Sequence, residues 1–315
     1  MSFVVRAKLV GGAAAALALV LLAGCGSIPA GRSRTAVAAG VLDSATSSVL
    51  STSFRADFTG SARLTLAGLS GLPASSRRQL TELARGLNSS TLTGWLEFQS
   101  PSDYEASYRF APALPAPVDV REVAGMEYLS LNGTTWNRVV PASIHGGLPG
   151  SWASMPEALK SLAKAVKGAT AVSNLGPTDL NGKAVNHIEA TISGTRLERI
   201  LAGALATAPQ EGAGAGLQGL AELVNLNPLH LDFYISRSTR LPVQESVNGG
   251  MSLNLAALGL LGSSALSGAQ GSVTLTVDMS VTFSGYGSHF AITKPTHVLP
   301  GPPANPSAAG LSSLF

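Results

Sequence analysis

Residues 92–110, LTGWLEFQSPSDYEASYRF, decide how this chain folds. Leu92, Gly94, Leu96 and Phe98 share one face at a spacing of two, and beyond the turn at Ser100 and Pro101 so do Tyr104, Ala106, Tyr108 and Phe110. Side chains of a strand alternate between faces, so each half predicts a strand, and together they predict an antiparallel hairpin. Upstream, Phe54, Ala56 and Phe58 alternate with Arg55, Asp57 and Thr59 in a period that continues weakly to Leu66. Residues 67–90 interrupt it. Pro73 and the run Ser75 to Leu87, with Leu80, Leu83 and Leu87 at spacings of three and four, predict an inserted helix. Val41, Leu42, Ala45, Val49 and Leu50 predict a first amphipathic helix before Ser53.

Downstream, Pro112, Pro115 and Pro117 mark a link to a run from Val118 through Leu131, and Asn132 with Gly133 signals a hairpin into Thr135 to Val140. Met155 to Val166 predicts a second helix, with Pro156 in its first turn and Leu159, Leu162 and Val166 opposite Lys160, Lys164 and Lys167. Asn181 with Gly182 joins a strand near Val172 to one at Val185 to Ile192. Residues 195–226 are helical in pattern at both ends, around a flexible centre at Pro209 to Gly216. Leu229, Leu231, Phe233 and Ile235 mark a strand, the Arg237 to Arg240 turn follows, and Leu241 to Val247 runs back. A soft insertion, Gly249 to Gly271, precedes the last strands, Val273 to Ser284 and Phe290 to Thr293. About ten strands joined mostly by hairpins, with few helices among them, give an α+β fold class with a single large antiparallel sheet.

The N-terminus carries a different signal. Cys25 is the single cysteine of 315 residues and closes the run Leu22, Ala23, Gly24, Cys25 after an apolar stretch that opens with Arg6 and Lys8. That order reads as a bacterial lipoprotein signal peptide over residues 1–24, cleaved before Cys25, whose sulfur then carries a diacylglyceryl group. Two or three acyl chains anchor a protein stably, each buried methylene contributing about 0.8 kcal/mol. The expected location is therefore the outer face of the cell membrane, lipid-anchored. Residues 25–36 read as a flexible tether, 37–298 as one domain, and 299–315, with Pro300, Pro302, Pro303 and Pro306, as a disordered proline-rich tail.

Removing the signal takes Arg6 and Lys8 and lowers the net charge from +3 to +1. No clustered Lys and Arg surface remains, so nucleic-acid binding is excluded. Charged residues make up 12% of the chain and hydrophobic ones 45%. Such an excess of apolar residues with no second membrane span fits an internal cavity or exposed apolar patch, and fits equally a bias toward Ala and Gly. With Cys25 acylated, the fold holds without disulfides.

No constellation carries a reaction, and the chain is expected not to be an enzyme. Ser161, Leu162, Ala163, Lys164 match the S-x-x-K pattern of penicillin-binding enzymes, but no S-D-N or K-T-G element accompanies them. Gly214, Gly216 and Gly219 spell G-x-G-x-x-G, yet they lie between helical segments in an Ala- and Gly-rich stretch and read as a mobile loop. His145, His187, His230, His289 and His297 are scattered, with no histidine pair at ligand spacing, so no metal site and no cofactor are expected. Asp232 and Glu245 are placed facing each other across a strand pair, as an ordinary surface interaction.

Five stretches recur in a fixed order: Cys25, Tyr128 through Trp136, Asn181 and Gly182 leading to His187, Phe233, Tyr234 and Ile235 with the turn to Leu241, Pro242 and Val243, and Val281 through Gly287 with Ile292 and Pro295. On these residues the chain resembles the actinobacterial LppX, LprA, LprF and LprG lipoproteins, whose fold is similar to that of the LolA and LolB carriers. It implies a curved LolA/LolB-like half-barrel wrapped over a few helices, with an apolar cavity that binds the acyl chains of a lipid or lipoglycan and carries them within the cell envelope. The implied partners are that cargo, the membrane through Cys25, and a membrane transporter as a candidate. Candidate cavity residues are Phe54, Phe58, Leu96, Phe98, Tyr104, Tyr108, Phe110, Leu231, Phe233 and Ile235, with the insertion helices as a lid. The competing reading is a non-enzymatic envelope adaptor or sensor that uses the same fold, with a closed core, to bind another protein.

Overall fold

The computed structural model describes residues 40–41, 44–45, 48–49, 51–112, 114–139, 171–198, 224–256 and 268–300. The signal peptide, Cys25, the tether, the Met155 to Val166 helix with Ser161 and Lys164, His145, the glycine run at 214–219 and the tail beyond residue 300 lie outside the described residues.

The strands are β1 Phe54–Ser70, β2 Thr91–Ser100, β3 Asp103–Ala111, β4 Leu114–Val123, β5 Met126–Ser130, β6 Trp136–Val139, β7 Ala171–Leu180, β8 Lys183–Ile192, β9 Val224–Leu226, β10 Leu229–Ser236, β11 Pro242–Asn254, β12 Gln270–Ser284 and β13 Val298–Leu299. They form one open sheet in the order β13-β6-β5-β4-β3-β2-β1-β12-β11-β10-β8-β7, with β9 added to β11. Every pair is antiparallel except β13 on β6, so the sheet is mixed. The predicted hairpin is β2–β3, in the register Phe98↔Tyr104, Leu96↔Ala106, Gly94↔Tyr108 and Leu92↔Phe110. At β7–β8 the Asn181-Gly182 turn closes in two residues, with φ of 54° and 79°, the left-handed backbone that Asn and Gly tolerate.

One face of the sheet, the inner face, carries Phe54, Ala56 and Leu64 of β1, all buried, while Asp57, Thr59, Ser61 and Arg63 point outward and are exposed. Two helical segments cover it. At the N-terminus, residues 40, 41, 44, 45, 48 and 49 are helical; Ala45 packs with Ile188, Leu231 and Phe233, and Val49 with Phe54, Leu96 and Phe98. The inserted helix Ala74–Asn88 packs Leu83, Ala84 and Leu87 on Leu64, Leu66 and Leu275 at the far end of β1 and β12. Its last turn is tied to β1 by Asn88, whose Oδ1 accepts from the Leu64 N–H at 2.6 Å. Burial of each such Leu or Phe side chain contributes about 1.5–3 kcal/mol. Among the described residues no helix is long and apolar enough to cross a membrane.

The outer face of β2–β6 is covered by the C-terminal segment. The Phe290 N–H donates to Gln99 Oε1 at 2.8 Å, Arg121 donates to the Thr293 carbonyl at 2.7 Å, and β13 adds to β6. Beneath it Arg121 pairs with Glu105 and lies 4.9 Å from the Trp136 ring centroid, and Tyr128 is buried. Residues 290–293 were expected as a strand. They run without a ladder partner because outer-face side chains take backbone groups of this segment, the Phe290 N–H and the Thr293 carbonyl.

Four other differences have physical causes. Pro115 and Pro117 lie inside β4 and do not form a link, which is tolerated because β4 pairs with β5 only from Asp119 to Val123, leaving an edge at the prolines. The Asn132-Gly133 hairpin has a five-residue loop, in which Asn132 Oδ1 accepts from the Thr134 and Thr135 N–H groups at 3.0 and 2.8 Å. β11 continues through Gly249 and Gly250 to Asn254, so the insertion is shorter than read. Val118 through Leu131 is two strands, β4 and β5, turned at Ala124 and Gly125 with φ of 52° and 75°. Ala124 gives no turn signal, and its conformation is held from outside: its N–H donates to Asp103 Oδ1 at 3.1 Å, which in turn keeps the Asp103 carboxyl below the usual carboxylate range. An alanine in the left-handed region costs about 1–2 kcal/mol. Ala124→Asn is therefore expected to raise stability by about 0.5–1 kcal/mol in urea denaturation, the Asn-Gly pair being the favoured turn chemistry; an unchanged or lower midpoint would contradict the strained-turn argument.

Candidate functional site

The register places a row of side chains across the inner face: Ile188, Phe233, Glu245, Val281, Phe58, Gly94, Tyr108 and Val118, on β8, β10, β11, β12, β1, β2, β3 and β4. The next row is Ala190, Leu231, Val247, Met279, Gly60, Leu92 and Phe110. The ends of both rows on the β8–β10 side are buried, as is Val118. The middle is not: Glu245, Val281, Met279, Phe58, Gly60, Leu92, Tyr108 and Phe110 are only half-buried. Along β1 the N-terminal helical segment that carries Val49 covers Phe54 and Ala56 and the Ala74–Asn88 helix covers Leu64, so Phe58 and Gly60 lie between the two covers. The result is an apolar strip across five strands. Gly94 shapes it by close approach, since a Cβ there would sit 2.5 Å from both the Phe58 ring and the Ser107 carbonyl. The Phe58 ring thus lies across its neighbouring strand.

Polar groups lie in and beside the strip. Glu245 retains some accessible surface, yet it lies deep on an apolar face between Phe233 and Val281, and desolvation pushes its carboxyl up to about 7. Tyr286, which donates its hydroxyl to the Pro242 carbonyl at 2.8 Å, has its phenol pushed up by burial and then by Glu245. Burial also raises Tyr108, reinforced by Asp119 and Glu127. At the β4–β5 end Glu122 and Glu127 are direct cross-strand neighbours and both buried, and burial raises Glu122 against a hydrogen bond from Tyr104. Two clefts among the described residues hold about 280 Å³, beside Gly94, Tyr108 and Pro117, and about 320 Å³, beside Met126, Tyr128 and Val298.

All ten candidate residues lie on the inner face. Phe54, Leu96, Phe98 and Tyr104 are packed in the β1–β5 core, with the Phe54 and Phe98 rings stacked at 5.0 Å, and Leu231, Phe233 and Ile235 are packed in the β8–β11 core. Phe58, Tyr108 and Phe110 lie on the half-buried strip. The expected pairing of Asp232 with Glu245 does not occur. Asp232 pairs with Ser246 and Phe233 with Glu245, so the two carboxylates point to opposite faces. Leu92, Met279, Val281 and Glu245, which also lie on the strip, are not among the ten candidates. For Glu245 the signal was present, because it stands at the alternate position between Val243 and Val247.

No family model and no curated protein matches this chain. Among solved structures it is similar to LprF from Mycobacterium bovis, at 15% identity over 82% of this chain and 97% of that chain, with a TM-score of 0.39. It is also similar to the lipoprotein LppX from Mycobacterium tuberculosis, at 10% identity over 82% of this chain and 99% of that one, with a TM-score of 0.36. LprF and LppX are both among the proteins that the sequence resembles.

The buried carboxyl gives a pH prediction. Glu245 has an ordinary value of 4.5 and a folded value of about 7, so between them the folded state binds more protons and stability falls as pH rises from 4.5 to 7. Glu245→Gln is expected to be more stable than the parent by up to about 3 kcal/mol at pH 8 and no more stable at pH 4. Denaturant midpoints at the two pH values check this, and a pH-independent difference would remove Glu245 from the apolar strip.

Proposed function

We propose that this chain is a membrane-anchored extracytoplasmic lipoprotein that binds acyl chains of a lipid or lipoglycan on the inner face of its sheet and carries them within the cell envelope. The observation that carries this reading is the half-buried apolar strip of Phe58, Leu92, Tyr108, Phe110, Met279 and Val281 between two helical covers. The sheet in this reading curves as a half-barrel around an acyl chain laid along the strip. Moving a sixteen-carbon chain into water costs on the order of 12 kcal/mol at about 0.8 kcal/mol per methylene, so a carrier must shield it, and shielding needs no catalytic group. The lipobox at Cys25 would hold such a carrier at the outer face of the membrane from which it loads, with a membrane transporter as a candidate partner.

One observation favours the adaptor reading. Clefts of about 280 and 320 Å³ are at the floor of the roughly 300–1,000 Å³ usual for small-ligand sites, and neither lies along the strip centre.

Mass spectrometry of organic extracts separates the two. The chain with Cys25→Ser, expressed in an actinobacterial host and purified without detergent, is expected to yield stoichiometric acyl lipid. Met279→Trp, which fills the strip centre, is expected to lower that yield at least about fivefold while the circular dichroism spectrum is kept, a loss of about 1 kcal/mol of binding. Repeated absence of lipid from folded protein would transfer the assignment to the adaptor.

A further inference from the structure

The outer face of β8 and β10 carries a second chemistry, unrelated to the apolar strip. His187 and Glu189 are two residues apart on β8 and so share a face, and Asp232 on β10 stands directly opposite Glu189. One ligand atom from each, a ring nitrogen and two carboxylate oxygens, lie within 4.8 Å of one another. Ligands bound at 2.0–2.2 Å in a tetrahedral sphere are about 3.4 Å apart, so closure onto an ion needs only small rotations of the side chains.

Surrounding groups hold two of the three in place. The His187 ring stacks on Tyr234, with centroids 4.4 Å apart and planes 14° apart, and its Nε2 lies 2.8 Å from Asp232 Oδ1. Ser246 on β11 donates its hydroxyl to the other Asp232 oxygen at 3.3 Å. Oriented imidazole, oriented carboxylate and an outer hydroxyl partner are the features that fix a metal ligand set. His187 and Asp232 are half-buried and Glu189 is exposed, which leaves an entry path and a position for water.

We propose that His187, Glu189 and Asp232 form a binding site for a divalent transition-metal ion, Zn²⁺ in particular. One nitrogen and two carboxylate oxygens with an open fourth position suit zinc, whereas Mg²⁺ and Ca²⁺ take all-oxygen sets. The ion takes the place of the hydrogen bond between His187 and Asp232 and ties β8 to β10, so it stabilises the folded chain by mass action. The proposal does not depend on the carrier reading.

The test uses the full chain purified without a histidine tag and freed of metal with a chelator. Zn²⁺ is expected to raise Tm where equimolar Mg²⁺ does not, and Co²⁺ is expected to give the visible absorption of a tetrahedral site. His187→Ala and Asp232→Asn should each weaken Zn²⁺ binding at least about tenfold, and the exposed Glu189→Gln keeps the test valid if either variant fails to fold. His289→Ala should bind as the parent does. Absence of a Zn²⁺-specific Tm shift and of Co²⁺ absorption, or binding undiminished in Glu189→Gln and the other variants, overturns the site.

Discussion

The ladder between β1 and β12 is the constraint on which the rest depends. It runs from Arg55–Ser284 to Ser70–Gln270 and joins the N-terminal strands β2 to β6 to the later strands β7 to β11. Without it the sheet separates into two smaller sheets, each exposing an apolar face. Its partners are more than 200 residues apart over most of its length, so the loop-closure cost precedes any gain. The compensating interactions are side-chain contacts on the inner face, Ala56 with Phe283, Phe58 with Val281 and Leu64 with Leu275, and helices at both ends that bridge the join.

That arrangement explains why the apolar strip sits where it does. Val49 belongs to the core that includes Phe283, and the Ala74–Asn88 helix reaches Leu275, so each helix clamps one end of the same ladder. Between the clamps the pairs Phe58–Val281 and Gly60–Met279 have strand neighbours but only partial cover, and the apolar area left there is what a ligand would bury. The ladder thus holds the sheet together at its ends and presents its middle for the proposed carrier role. Glu245 lies in that middle with little accessible surface, and desolvation there favours its neutral form.

Much of this was legible in the residues. Period-two runs at 54–66, 92–110 and 229–235 gave strands whose inner faces hold all ten candidate residues, and Asn181-Gly182 fixed a two-residue hairpin. What was not legible depended on partners. Ala124 turns the chain only because Asp103 holds its N–H, and Pro117 sits in a strand only because β5 stops short of it. An irregularity between Tyr234 and Ile235 sets the β10–β11 register, and with it the face of Glu245, so a facing Asp232–Glu245 pair could be written from spacing and still be wrong. The proposed site of His187, Glu189 and Asp232 escapes a search for histidine pairs because it holds one histidine, and spacing along the chain does not show that Asp232 stands opposite Glu189 on the neighbouring strand.

β10 shows how one strand serves both faces. Leu229, Leu231, Phe233 and Ile235 point into the core and are 1–5% exposed, while His230, Asp232 and Tyr234 alternate with them on the outer side. A cross-link through Asp232 to β8 would therefore fix the twist and separation of two strands whose inner residues, Ile188 and Phe233, flank the strip, without an ion touching any apolar group. Because period two keeps the faces chemically separate, loss of the outer ligands should act on the inner surface only through strand geometry. A measured change in lipid affinity on removal of the metal would then report sheet shape and not direct contact.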